Sequence, residues 1–314
     1  MTKMLYIPYF FTILCYNVIS NFFRGDTMKE KWLYDMTDAE NAMKSLSKFL
    51  NIGKRELFRF IFTRTNEEID YDKFYEELIE EFEIEIDKLS IDNIEIKSIH
   101  VTTGSDNGYS IREKGLLNLQ EVLIQDTPLR NFLLKRDIRI DVENKLVYFR
   151  DQKLLIVDDT SGHEDNKNYV YDKLYRDCEV NGFACDETPL EYGGNVANRP
   201  EFLYNLGIML RYRTLEEEWR MENRQCYIVE YKYPHEKLAW FTLILNNEDE
   251  YEIEEDRGFY VKAWLIRQSM TVLVYDIKRW GKPEVISYLK LSENVPSYDI
   301  INVIDATEER DSLR

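Results

Sequence analysis

The sequence predicts an α+β fold. Three helical patterns crowd its first quarter, alternating strand patterns dominate from Ile94 onward, and single helices fall between those strands without regular strand–helix alternation. That order describes an N-terminal helical cap followed by a mixed, largely antiparallel split sheet, and it argues against a doubly wound parallel sheet.

The elements follow from spacing. Ala39, Ala42, Met43, Leu46, Phe49 and Leu50 keep helical periodicity from Asp38 to Leu50, with Thr37-Asp38 as cap and Asn51-Ile52-Gly53 as stop. A short helix continues from Glu56 to Phe62. A third runs from Tyr71 to Ile86, with Phe74, Leu78, Ile79 and Phe82 on one face and acidic residues on the other. Residues 28–90 therefore read as a helical accessory domain, and residues 91–314 as the α+β domain. In the second, Ile94, Ile96 and Ser98 alternate with Glu95, Lys97 and Ile99, a half-buried strand that puts His100 and Thr102 on one face of its end. Turn residues Gly104 to Gly108 follow. Ile111, Leu116, Leu119, Val122 and Leu123 then fit helical spacing, with Gly115 at an end or bend. Further strands are expected at Ile138–Val142, Lys145–Phe149, Lys153–Val157, Gln225–Tyr231, Met270–Ile277, Glu284–Leu289 and Ile300–Ile304. Helices are expected near Thr127–Lys135, Val170–Cys178, Pro200–Arg211 and Phe259–Gln268, the third opening on a proline. Asp158 to Lys167 is a polar loop.

Composition narrows the function. A formal charge of −18, from 59 acidic against 41 basic residues, argues against a nucleic-acid surface, which needs clustered Lys and Arg. No glycine-rich phosphate loop is present, and the basic stretches Lys54-Arg55 and Arg130 to Arg139 read as solvated faces. Cys15, Cys178, Cys185 and Cys226 match neither a zinc site nor a disulfide framework, so free thiols in a cytoplasmic protein are expected and no metal is implied. Residues 4–23 are apolar and long enough to cross a bilayer, but Pro8, Asn17, Ser20 and Asn21 make a poor anchor, and no small-x-small site marks a signal peptide. Residues 24–27 can be encoded by a purine-rich ribosome-binding sequence, so residues 1–27 are expected to precede a translation start at Met28.

The run Ile99-His100-Val101-Thr102-Thr103, then a loop, a helix and Gly115-Leu116, resembles the opening of the ADP-ribosyltransferase superfamily, including its polymerase and DNA-modifying toxin branches. A second block, Pro283-Glu284-Val285-Ile286 followed by Val295-Pro296 and Ile300-Ile301, is similar to the late Glu-bearing strand of the toxin branch, with longer spacing. The resemblance implies an NAD-using transferase or NAD glycohydrolase of split-sheet fold, of the kind found among bacterial toxins and phage-defence effectors. It implies that His100 orients the NAD ribose, Thr102 assists, and Glu284 stabilises the sugar cation, with Glu293 as a fallback. The middle position is open between Tyr192, which follows Gly182-Phe183-Ala184, and Tyr148. The acceptor is expected to be a protein or small molecule. The competing expectation is a non-catalytic interaction or sensor protein with tyrosine-rich and acidic surfaces.

Overall fold

The computed structural model describes residues 31–65, 70–157, 166–244 and 257–313. The apolar segment 4–23, the choice between Met1 and Met28, and most of the polar loop from Asp158 lie outside them.

In chain order the elements are β1 (Trp32–Tyr34), α1 (Ala39–Leu50), α2 (Lys54–Arg64), α3 (Tyr71–Glu81), β2 (Ile94–Gly104), α4 (Tyr109–Lys114), α5 (Leu119–Ile124) and α6 (Pro128–Leu134). Next come β3 (Ile138–Asp141), β4 (Leu146–Phe149), β5 (Gln152–Leu155), α7 (Asn166–Tyr175), β6 (Asn181–Cys185), α8 (Phe202–Met209) and α9 (Leu215–Glu222). The chain continues through β7 (Gln225–Pro234), α10 (Trp240–Leu243), α11 (Arg257–Lys278), β8 (Val285–Tyr288), β9 (Ile300–Asp305) and α12 (Thr307–Ser312). The fold is α+β with antiparallel sheets.

Capping chemistry sets the first helix where the spacing predicts it. The Asp38 carboxylate accepts from the Asn41 N–H at 2.8 Å, and Asn51, at φ 55°, ends α1 in the left-handed conformation that asparagine tolerates. The main sheet runs β8-β6-β2-β7-β9, and β1 adds to β2 in parallel at Ile94–Ile96. β2 is its axis: ten residues, Glu95 to Gly104, pair antiparallel with β7, from Glu95↔Pro234 to Gly104↔Gln225. A second sheet, β3-β4-β5, is a small antiparallel meander.

Two cores divide the apolar side chains. In the larger, Leu46, Leu57 and Leu78 of α1–α3 meet Ile96, Val229 and Tyr231 of the sheet and Val261 and Leu265 of α11. The helices of residues 28–90 thus share one core with the sheet. In the smaller, Phe132, Val147, Leu174, Leu203 and Trp219 join the meander to α6–α9. The buried Trp219 indole donates to Thr103 Oγ1 at 3.0 Å, tying the second core to β2.

Three differences from the sequence expectation stand out. The strand expected at Met270–Ile277 is the second half of the 22-residue α11. Its β-branched run reads as a strand, but Val261, Ala263, Trp264, Leu265, Met270, Val272 and Leu273 are buried around most of the helix, which erases the one-sided stripe. The helix expected to reach Ile86 stops at Glu81, where Glu83 takes a positive φ of 48°. β6 and α9 were not expected; β6 is five residues long with a glycine at its second position, too short to show alternation.

Candidate functional site

β6 pairs with β2 at Ile99↔Phe183 and begins at Asn181, so the far end of β2, from Thr102 to Gly104, has no strand on that edge. A cavity of about 250 Å³ lies against this open edge. Residues from both faces of β2 line it, His100 and Thr102 from one and Val101 and Thr103 from the other. The remaining wall includes Ile111 and Leu116 after the first turn, Cys178 to Val180 before β6, Arg199 to Glu201, Trp219, and Tyr227 opposite Thr102. Mostly apolar walls with a few convergent polar groups are the usual make-up of a ligand pocket, and the volume lies at the small end for one.

His100 is held by the sheet itself. Its Nδ1–H donates to the Asn181 carbonyl at 2.7 Å, which leaves Nε2 as the basic, accepting nitrogen. Burial pushes its pKa below the usual histidine value, and the Asn181 carbonyl offsets this only in part, so the ring is neutral at pH 7. The register places Gly182 beside His100, and glycine is required there. A Cβ on Gly182 would sit 2.4 Å from the Tyr231 hydroxyl and 2.6 Å from the Ile99 carbonyl. Gly115 does the same work on the opposite wall: at φ 83° its Cβ position lies 1.8 Å from the Val295 carbonyl oxygen, and Leu116 and Val295 bridge there as a backbone pair.

Glu179 supplies a carboxyl. Burial raises its pKa to about 7, and neighbouring Asp177 adds to the rise while its backbone contact and Lys173 oppose it. Its Oε2 is buried and has no hydrogen-bond partner among the described residues. A buried carboxyl oxygen without a donor is costly, and a ligand hydroxyl or amide would relieve it. Arg199, also buried, is fixed by Glu216 at 2.9 Å and by donation to the Gly194 carbonyl at 3.0 Å. Cys178 lines the cavity as well, but burial, followed by the nearby Glu179, pushes its thiol up to about 11, which leaves it a poor nucleophile. Among the described residues no group of His, Cys, Asp and Glu could hold a metal ion.

The structure brings together His100 and Thr102 of the residues named from sequence, and it does not bring Glu284 or Tyr192 to them. Phe183 pairs with Ile99 and so faces away from His100. The Tyr192 ring packs edge-on against Phe183 at 5.3 Å, and Glu284 is a near neighbour whose charge, after burial, raises the Tyr192 hydroxyl. Glu284 is exposed just ahead of β8. It alternates with Val285 and Ser287, and Ser287 bonds Ser98 on the His100 face at 2.8 Å, so Glu284 points to the other side of the sheet. The fallback Glu293 is paired with Lys237 at 3.2 Å, and Tyr148 lies on the small sheet under Arg139. Neither lines the cavity.

Glu179 and Arg199 escaped sequence reasoning because each reaches the cavity through tertiary packing. Among 59 acidic residues, nothing local marks Glu179. No helix among the described residues is long and apolar enough to cross a membrane. No known protein family, curated protein or solved structure matches the chain.

Proposed function

We propose that the chain is an ADP-ribosyltransferase-like enzyme that uses NAD as its substrate, with the cavity at the open end of β2 taking the nicotinamide–ribose end. One observation carries the reading: a neutral His100 with an accepting Nε2 and a Glu179 carboxyl with an unpartnered oxygen share one apolar-walled cavity. Two acceptors suit the hydroxyls of a ribose, and apolar walls suit an aromatic ring. The nicotinamide of NAD is cationic, so its arrival favours the ionised form of Glu179. The same carboxylate then opposes the positive charge that develops on the sugar as the bond to nicotinamide breaks. Glu179 thereby takes the role that the motif resemblance assigns to Glu284. The acidic body favours water, a protein or a small molecule as acceptor over nucleic acid.

The test is release of nicotinamide from labelled NAD by the purified protein. His100→Ala and Glu179→Gln should each abolish release, while Glu284→Gln should leave it intact. No turnover by the unmodified protein, or turnover indifferent to both cavity substitutions, refutes the reading. A second reading, a non-catalytic interaction protein, draws on Phe58 and Phe62, which stack at 5.7 Å on α2 while 47% and 51% exposed. NAD bound without turnover, together with a partner interaction lost on Phe58→Ser, would select it.

A further inference from the structure

On the far side of the second core, the β4–β5 turn faces the link between α8 and α9 across an open groove of about 660 Å³. Three of its lining side chains are arginines, Arg150, Arg211 and Arg213, and none is an aspartate or glutamate. In a chain of net charge −18 this is a local reversal of sign. All three are exposed, and none has a carboxylate partner among the described residues. Of the acidic residues that follow in α9, Glu216 is paired with Arg199 and Arg220, and Glu218, which accepts from Tyr212 and Thr214 at the rim of the groove, is paired with Arg136.

Each arginine sits where the backbone disfavours it. Arg150 and Arg211 have φ of 53° and 55°, left-handed positions that glycine or asparagine occupies at less cost. Arg213 precedes the N-terminal end of α9, where the helix dipole repels a cation. The two backbone segments that carry them are also held together. Tyr212, between Arg211 and Arg213, stacks on Phe149 beside Arg150 at 5.8 Å with planes 30° apart, and its hydroxyl donates to Glu218 at 3.0 Å. A bracing ring thus joins the two segments that carry the charges. Guanidinium groups without a carboxylate partner, gathered on braced backbone segments, are the chemistry that recognises phosphate oxygens.

We infer that this groove is a binding site for a phosphate oligo-anion, such as the triphosphate group of a nucleotide. It lies apart from the His100 cavity and does not rest on the function proposed there. The experiment is calorimetric titration of the full chain with inorganic triphosphate at low and moderate salt. Saturable one-to-one binding is expected, weakened by salt and reduced about tenfold or more by Arg211→Asn and by Arg150→Asn. Asparagine eases the left-handed backbone, so both variants should unfold at the same temperature as the parent or higher, which separates lost binding from lost folding. Absence of saturable binding by the parent overturns the inference. So does equal binding by the Arg150→Asn/Arg211→Asn double variant, or binding of a single-stranded oligonucleotide without any of triphosphate.

Discussion

Replacing Glu179 by glutamine should remove one pH-dependent loss of stability. Burial lifts this carboxyl from the usual 4.5 to about 7, so between those values the folded chain holds the proton more tightly than the unfolded chain does. Stability from this group is therefore greatest below pH 4.5 and falls as pH rises through 7. For complete burial the rise corresponds to about 3 kcal/mol. Glu179 is only partly enclosed, and solvent screening reduces this to about 1–2 kcal/mol. Glutamine keeps the shape and stays neutral. Urea unfolding should thus find Glu179→Gln within about 0.5 kcal/mol of the parent at pH 4.5 and about 1–2 kcal/mol more stable at pH 8.5. A difference that does not change with pH, or a variant that is the less stable at pH 8.5, would refute the claim that Glu179 has a buried carboxyl oxygen lacking a donor.

Two further substitutions probe the frame of the cavity. Gly115→Ala places a methyl group against the Val295 carbonyl at a positive φ and should cost about 3 kcal/mol or more, seen as a lowered midpoint in thermal unfolding. Trp219→Phe keeps most of the packing on Phe132, at 5.0 Å edge-on, but removes the donor to Thr103; a loss of about 1–2 kcal/mol in denaturant titration is expected.

The general layout was legible where local signals are strong. Asp38 and Asn51 bracket α1 because their side chains and backbone preferences act within a few residues. The alternation before His100 marks β2, and with it the placement of His100 and Thr102 on one face, because a strand's period depends only on its own residues. What failed depends on distant partners. The Met270–Ile277 stretch is helical because surrounding elements bury it on most sides. Glu179 enters the cavity because the chain turns there into β6 at the point where β2 loses its neighbour. Glu284 carries the matching neighbours in sequence, yet its strand's alternation turns it to the opposite face of the sheet from His100.

The long ladder between β2 and β7 bears on how the molecule is made. Gly104 pairs with Gln225, and the entire second core lies in the chain between them. On a ribosome adding about 5–20 residues per second, β2 therefore emerges several seconds or more before the strand that covers its longest edge. During that interval its apolar residues, Ile94, Ile96 and Val101, are available to other nascent chains. The second core, local in sequence, is able to fold during the same interval and draw the two ends together, shortening the loop that β7 must close. Synthesis order thus makes the unit around Trp219 a template for completing the sheet, and damage to that unit should appear first as poor yield of folded protein.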